Sequence, residues 1–162
     1  MRQWRQALDQ RKRTLPGALR QATGAIAGYA RDTIRKRIPP GATTSSGMSN
    51  RFPGYAATGR LKGAVVATPV RREGDSFVSL VGIPPTADNL TLIKAYVHEF
   101  GKVIRTRRAP YLHFQVQGQW VKVKRVRIRA KRFFRSGWAE ARHYFPDAMR
   151  RMVRSHWLGR RT

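Results

Sequence analysis

Cysteine is absent from this 162-residue sequence, and its absence excludes disulfide bonds, thiolate zinc sites and cysteine nucleophiles together. Long hydrophobic runs are absent as well. None approaches the roughly 18 apolar residues that a membrane span needs, and the first residues lack the apolar segment of a secretory signal. We therefore expect a soluble protein with no membrane partner. The arginine-rich, acid-poor start is also typical of an organellar transit peptide, which stays open as an alternative.

Acidic residues are few, because eight Asp and Glu stand against 34 Lys and Arg, for a formal net charge of +26. Such a charge opposes compaction through self-repulsion and favours anionic partners or an assembly with acidic neighbours. Twenty-six of the 34 bases are Arg, whose planar fork suits phosphate or carboxylate. With 41% hydrophobic residues the chain can still bury a modest core, so we expect one folded domain over residues 1–162.

The scattered acids also argue against catalysis. Nuclease chemistry gathers several carboxylates around Mg²⁺, and the sequence has no such cluster and no Gly-rich phosphate-binding motif. His98-Glu99 is the one His beside an acid, but adjacent residues point in different directions on a strand or a helix. We predict that Glu99 instead accepts hydrogen bonds from Arg or from backbone N–H groups at a sheet edge. The sequence thus predicts no enzyme, no cofactor and no metal site.

The clearest structural pattern lies between residues 96 and 134. Apolar residues alternate with polar ones on both sides of a break at 117–119, which is typical of a half-buried hairpin. The alternating residues are Leu112, Phe114, Val116, Val121 and Val123. Val126 and Ile128 fall on the opposite parity, so we expect a bulge or bend near Lys124-Arg125.

The polar face of this hairpin and the stretch leading into it are almost purely cationic. Between Glu99 and Glu140 there is no acid against twelve bases. A solvated face is the usual explanation of a charge run, but the lack of any acid favours an anionic partner. DNA phosphate and an acidic protein surface both remain open. The candidate contacts are Lys102, Arg105, Arg107, Arg108, Lys122, Lys124, Arg125, Arg127 and Arg129.

Helical spacing marks both ends of the chain. Residues 2–13 predict a short helix and the stretch from Pro16 a longer one. Because proline can interrupt a helix, the two either form one long N-terminal helix or are separated at Pro16. Small residues at 24–28 would allow close approach of the chain's own sheet or of a neighbouring subunit. The segment from Ser136 predicts a C-terminal helix, kinked at Pro146, that packs on the sheet.

Between these helices the composition changes. Residues 41–57 are rich in Ser, Thr, Gly and Pro and predict a mobile loop that becomes ordered only against a partner. Strands are predicted at 61–70 and 76–83, joined by a turn at 72–75, and a short helix at 90–100. The expected fold is therefore α+β: a long N-terminal helix, an antiparallel sheet with a basic hairpin, and a C-terminal helix packed on the sheet.

Three short motifs in a fixed order carry a resemblance to a known family. They are Thr58-Gly59-Arg60-Leu61, the run Y-V-H-E-F-G at residues 96–101, and Phe133-Phe134 after a basic strand. Over about residues 15–155 the chain resembles the tail-completion and virion-morphogenesis proteins of tailed bacteriophages, the group that includes the HK97 gp10-like head–tail joining proteins. It departs from that family by having no proline in Ala130-Lys131-Arg132-Phe133 and by its high charge.

The resemblance implies a structural virion protein, assembled in the host cytoplasm, that forms a ring at the junction of tail and head connector. It implies a hexamer around the DNA channel, with other tail and connector proteins as partners. The residues that match the family motifs, and that we expect to be structural, are Thr58, Gly59, Leu61, Glu99, Phe100, Gly101 and Phe133. A second set on the C-terminal helix is expected at the interface with acidic surfaces of neighbouring rings: Arg150, Arg151 and Arg154.

An Arg-rich nucleic-acid-binding protein of the ribosomal or organellar kind is the alternative. It would use the same strands to bind phosphates, and aromatics between the bases, such as Tyr111, Phe114 and Trp120, to stack on unpaired bases.

Overall fold

The computed structural model describes residues 2–38, 59–116 and 119–158. The predicted mobile loop at 41–57, the motif residue Thr58 and the hairpin tip at 117–118 lie outside these residues. The α+β architecture is confirmed. Its helices are α1 (Arg2–Arg37), α2 (Arg60–Ala64), α3 (Asn89–Phe100) and α4 (Phe133–Leu158). Its strands are β1 (Val66–Ala67), β2 (Arg71–Glu73), β3 (Ser76–Val78), β4 (Val81–Gly82), β5 (Lys102–Arg105), β6 (Leu112–Val116), β7 (Gln119–Val123) and β8 (Arg125–Ile128).

Helix α1 runs through Pro16 without interruption, so of the two forms left open for the N-terminal helix the structure has the continuous one. Proline inside a helix removes one hydrogen bond of the ladder and costs about 3 kcal/mol. Nearby side chains add bonds just before this position. The Thr14 hydroxyl lies 3.1 Å from the carbonyl oxygen of Gln10 and 3.2 Å from that of Arg11, and His156 Nε2 lies 3.1 Å from the Arg11 carbonyl oxygen. A contact with α4 therefore lies within about one and a half turns of the proline.

Helices α1 and α4 form the main antiparallel pair of the fold. Their closest approach is at Gly137, where a Cβ atom would lie 2.7 Å from the Cα of Ile34, so only glycine fits. Further along the pair, the rings of Tyr29 and Tyr144 lie 4.2 Å apart between centroids. The small side chains that let the two helices pack closely are buried: Ala22, Ala27, Ala30 and Ala141.

The core of large side chains is small and lies at one end of this helix pair. Ile34, Val65 and Phe133 are fully buried in it. The partly buried residues around them are Ile38, Val81, Ile83, Ala95 and Phe134. The first turn of α4 therefore packs on the β1–β4 sheet as well as on α1, as the sequence predicts.

The strands at 66–82 form one interrupted hairpin, which we call the first ribbon: β1 pairs with β4 and β2 with β3. The predicted strand at 61–70 is wrong at its start, where Gly59 at φ 66° leads into α2. The Arg35 guanidinium donates to the carbonyl oxygen of Val65 at 3.0 Å and so ends this short helix. Between the strand pairs, the Thr68 amide donates to the Leu80 carbonyl oxygen at 2.8 Å, and the Thr68 hydroxyl accepts from the Leu80 amide at 2.8 Å.

Residues 102–128 form a second interrupted hairpin, the second ribbon, in which β5 pairs with β8 and β6 with β7. The predicted β6–β7 hairpin is confirmed. The predicted bend is confirmed too, since β7 ends at Val123 and β8 begins at Arg125. One sheet was expected, whereas the described strands form four two-stranded sheets. The β6–β7 hairpin makes no extensive contact with any helix in the described part of the chain.

Helix α3 connects the two ribbons. It begins one residue earlier than predicted because Asp88 caps it, its carboxylate accepting from the Thr91 amide at 2.8 Å and from the Thr91 hydroxyl at 2.6 Å. These bonds lower the pKa of Asp88. At its other end α3 is closed by Gly101, whose amide donates to the carbonyl oxygen of Val97 at 2.8 Å.

Candidate anion-binding surface

One face of the outer strand pair of the second ribbon is lined by arginine. The register places Val103 opposite Arg127 and Arg105 opposite Arg125, so these four side chains share a face. All three guanidinium groups are exposed, whereas Val126 and Ile128 on the other face of β8 are partly buried. The hydrophobic pattern of β8 thus directs its arginines to solvent. We call the surface formed by Arg105, Arg125 and Arg127 the arginine face.

No carboxylate in the described part of the chain makes an ion pair with the arginine face. Directly opposed residues of an antiparallel pair have Cβ atoms about 5 Å apart, so Arg105 and Arg125 repel each other. The ion pairs found among the described residues all lie in other parts of the chain. They are Arg31–Asp32, Arg37–Glu140, Arg71–Glu73, Arg72–Asp75 and Arg150–Asp147.

An open groove adjoins the arginine face where β5 and the end of β8 meet the end of α3. Its volume is about 550 Å³. Lys102, Arg127 and Arg129 supply cations to its lining, and Phe100 supplies an aromatic ring. Gly101 forms its floor at φ 74°, and a Cβ atom there would lie 2.8 Å from both the Ala130 nitrogen and the Ile128 carbonyl oxygen. Glycine is therefore required for α3 to pass this close to the end of β8.

The other predicted contacts are spread along the second ribbon. Lys122 lies opposite His113 in the β6–β7 pair, and the His113 ring lies 4.6 Å from that of Trp120. Trp120 is 55% exposed, so this end of the ribbon presents an aromatic surface beside a base. Three further bases are exposed in the connections between strands: Arg107, Arg108 and Lys124.

The arginines predicted at a partner interface on α4 lie well away from the groove. Arg150 is 17 residues after the start of α4, which corresponds to about 25 Å along the helix. It donates to Asp147 at 3.3 Å, and the Arg151 guanidinium lies 5.3 Å from the centre of the Tyr144 ring. Arg154 is exposed. Two of these three arginines therefore already have a partner within the chain.

The H-E-F-G motif joins α3 to the start of α4. The Glu99 carboxylate accepts from the backbone amides of Phe134 at 2.8 Å and Arg135 at 3.1 Å, and thereby caps α4. The predicted backbone acceptor role is confirmed, but the donors lie at a helix end and not at a sheet edge. The His98 carbonyl oxygen accepts from the Lys131 amide at 2.7 Å. The family-like motif thus fixes the junction of the second ribbon with α4.

The His98 ring takes no part in a dyad with Glu99, whose carboxylate is engaged by the α4 amides. Its Nδ1 atom is buried without a hydrogen-bond partner. Burial lowers the pKa of His98, and the positive charges of Lys131 and Lys94 lower it further. Both effects favour the neutral form of the ring, which suits packing.

The remaining motif residues occupy structural positions. Gly59 starts α2 in the left-handed region and its carbonyl oxygen accepts from the Gly63 amide at 2.8 Å. Leu61 is partly buried on α2, and Phe133 lies in the core. In the residues described, His and acidic side chains do not gather into a group that could hold a metal, and none of the helices is long and apolar enough to cross a bilayer.

One surface was missed by the sequence analysis. Along α3 the large apolar side chains of Leu90, Ile93, Tyr96 and Phe100 are 49–59% exposed. The rings of Tyr96 and Phe100 lie 4.9 Å apart, so the row is continuous at its end. We call these four residues the α3 stripe. Their spacing of three or four residues along the predicted helix is the signal that could have revealed it.

Comparisons with known protein families, with curated proteins and with solved structures find no match to this chain.

Proposed function

We propose that the chain is a structural virion protein: a ring-forming tail-completion subunit at the head–tail junction of a tailed phage, which joins the tail to the head connector around the DNA channel. Its work is geometric, and it needs no catalytic group or cofactor. The family resemblance supports this proposal, because the matching residues that the structure describes fix the contacts between elements of the fold. Glu99 caps α4, Gly101 allows α3 to meet β8, and Phe133 fills the core.

The observation that carries the assembly is the amount of apolar surface left exposed. Among the described residues only three large apolar side chains are fully buried, namely Ile34, Val65 and Phe133. Single exposed apolar residues are common on monomers, but contiguous apolar patches mark interaction sites. The α3 stripe is such a patch, and the described residues leave it about half exposed.

The exposed apolar residues lie on unlike elements, which favours a ring. The α3 stripe is helical, whereas Tyr111 and Trp120 belong to the second ribbon, which does not pack extensively on α3. A contact between two different surfaces is heterologous, and heterologous contacts close into rings of more than two subunits. We propose that the α3 stripe of one copy contacts another copy of this chain in a cyclic, head-to-tail assembly, with six copies as the expected number.

Imaging and native mass measurement of the purified full chain test this proposal. A closed ring of 18.5 kDa subunits is expected. Ile93→Asp should break the ring, because it places a charge in the α3 stripe. Leu80→Asp is the matched control, since both residues are 57% exposed and Leu80 lies on the first ribbon outside the stripe. A monomer or an isologous dimer under all conditions would overturn the ring. A ring that survives Ile93→Asp would overturn the role of the stripe alone.

A second candidate function rests on Trp120. Its exposed ring lies against His113 beside the base Lys122, an arrangement that suits stacking on an unpaired base with phosphate contacts alongside. This arrangement favours an Arg-rich nucleic-acid-binding protein of the ribosomal or organellar type. A monomer that binds single-stranded RNA tightly, and loses most of that affinity with Trp120→Ala, would establish this function in place of the first.

A further inference from the structure

The arginine face places bare positive charges directly opposite each other. Some bases elsewhere are balanced by an acid at ion-pair distance, as in Arg37–Glu140 at 2.6 Å and Arg71–Glu73 at 2.7 Å. On the arginine face, Arg105 lies directly across from Arg125, and neither makes an ion pair among the described residues. Like charges in directly opposed positions destabilise a strand pair. The repulsion between Arg105 and Arg125 therefore destabilises the strand pair, and a bound anion would relieve it.

The arrangement of the guanidinium groups suits a phosphate backbone better than isolated carboxylates. Arg125 and Arg127 are alternate residues of one strand, so their Cα atoms are spaced by about 6.7 Å, and Arg105 adds a third group across the ladder. The strand spacing is comparable with the distance between successive phosphates along one nucleic-acid strand. Arginine forks bind phosphate oxygens in a bidentate way.

The adjoining groove extends the same surface. Lys102 and Arg129 line it next to Arg127, and its open shape admits a backbone that continues beyond the arginine face. No acid of the sequence lies between Glu99 and Glu140, and the Glu99 carboxylate is already bound by the α4 amides. A polyanion that follows β8 therefore meets a row of cations, with no carboxylate of that segment to repel it.

We infer that the arginine face binds the phosphate backbone of duplex DNA, without base readout, through Arg105, Arg125 and Arg127. The choice of duplex DNA rests on the proposed function, in which the ring surrounds it. The phosphate chemistry rests on the face alone, so an isolated subunit binds DNA whether or not it forms a ring.

Salt-dependent binding to a short duplex of arbitrary sequence tests the inference. Each neutralised phosphate contributes about 0.9 to the slope of log affinity against log salt. The triple variant Arg105→Gln, Arg125→Gln, Arg127→Gln should therefore flatten the slope by about 2.7. Between about 50 and 200 mM salt its affinity should fall about 40-fold less than that of the wild type.

The matched control carries the same loss of charge at a distant place. Arg150→Gln, Arg151→Gln, Arg154→Gln also removes three positive charges, about 25 Å or more along α4 from the groove. This variant should keep the slope of the wild type to within one phosphate contact. Equal flattening in both triple variants would overturn the assignment to the arginine face, because general charge would then account for binding.

Thermal unfolding provides a second measurement, which distinguishes a folded variant that has lost DNA binding from a variant that is misfolded. Without DNA, Arg125→Gln should melt at the same temperature as the wild type or higher, because its repulsion with Arg105 is gone. Duplex DNA should raise the melting temperature of the wild type and raise that of the arginine-face triple variant clearly less. A lower melting temperature for Arg125→Gln would contradict the argument from repulsion.

Two competing polyanions complete the test. Poly-glutamate that displaces the duplex at equal charge concentration would overturn the phosphate assignment in favour of an acidic protein partner. Single-stranded RNA bound at least tenfold more tightly than the duplex would overturn the choice of duplex DNA. The subunit number is measured on the same samples, so a monomer that binds duplex DNA through the arginine face would refute the ring and leave this inference intact.

Discussion

The cap that Glu99 places on α4 gives the most direct test of the fold. The Glu99→Ala substitution removes the acceptor for two backbone amides in the first turn of the helix, at 2.8 and 3.1 Å. The helix has no acidic residue of its own in that turn, so no neighbouring carboxylate replaces the lost one. The residue before the helix is Arg132, held at φ 51°, and its side chain cannot accept a hydrogen bond.

The expected cost follows from two contributions. Loss of a capping acceptor costs about 0.5–2 kcal/mol, and loss of a negative charge near the positive end of the helix dipole costs about 0.3–1 kcal/mol. We expect Glu99→Ala to lower the free energy of unfolding by about 2 kcal/mol. For a chain of this length that corresponds to a fall in melting temperature of roughly 4–8 °C.

Calorimetry of the variant and of Glu140→Ala separates this effect from the general loss of a carboxylate. Glu140 accepts from Arg37 at 2.6 Å, but both side chains are about half exposed, and such surface pairs contribute about 0–1 kcal/mol. All samples are compared at one protein concentration, because assembly shifts the apparent stability. Hydrogen exchange should also show faster exchange at the Phe134 and Arg135 amides in Glu99→Ala. Equal melting temperatures for the two variants would refute the capping argument.

Three further outcomes are expected. Gly101→Ala should lower the free energy of unfolding, measured by chemical denaturation, by more than about 1 kcal/mol, because residue 101 has a positive φ and a Cβ atom there would clash with the end of β8. Gly63→Ala is the control: it lies in a helix with open space around it and should leave this free energy unchanged or raise it. Gly137→Ala should lower the melting temperature by forcing α1 and α4 apart. Gly28→Ala should melt like the wild type, because nothing lies within 4 Å of its Cβ position. If Gly28→Ala melts normally but fails to form rings, then α1 packs between subunits. The pKa of His98 is lowered from 6.5, so the unfolded chain binds a proton at this residue more readily than the folded chain does. The contribution of His98 to stability is therefore complete above about pH 6.5 and is lost as the pH falls below it. His98→Gln should flatten that part of the stability–pH curve, and an unchanged curve would contradict the assignment.

Local patterns in the sequence predicted those elements that depend on local interactions. The alternation of apolar residues predicted β6 and β7 correctly, and the change of parity at Lys124 predicted the bend before β8. Helix α3 was predicted to within one residue because its boundaries carry their own signals, a capping Asp88 and a closing Gly101. In each case the residues that determine the structure lie within a few positions of it.

Elements that depend on distant contacts were not predicted. The sequence left the continuity of α1 at Pro16 open; in the structure the helix continues, and His156 of α4 lies 3.1 Å from the nearby Arg11 carbonyl oxygen. The start of the predicted strand at 61–70 is instead helical, and Arg35 contributes a hydrogen bond to the end of α2 from about 30 residues away. Residue spacing carries no information about such partners. The strand prediction at the start of 61–70 therefore rested on local propensity alone, and it was wrong there.

The candidate site was predicted in part for the same reason. The sequence showed which bases lie on the solvent side of β8, and their exposure is confirmed. It did not show that β8 leaves β7 to pair with β5, and this pairing is what brings Arg105 opposite Arg125. The α3 stripe was visible as a periodic row, but whether a row faces a core or solvent depends on how much of the chain remains to cover it.

Charge and apolar surface act in opposite directions on contact between copies of this chain. The α3 stripe favours association, while the formal charge of +26 opposes it. At physiological salt the repulsion between exposed charges is largely screened beyond about 8 Å, so copies can meet through α3 where their arginine faces stay further apart than this. In the proposed ring, arginine faces directed at a common axis would lie across the channel from one another, and a polyanion in that channel would neutralise the charge that salt leaves unscreened. On this proposal the assembly and the ligand are linked by the same charges, because a duplex in the channel would lower the remaining repulsion between subunits.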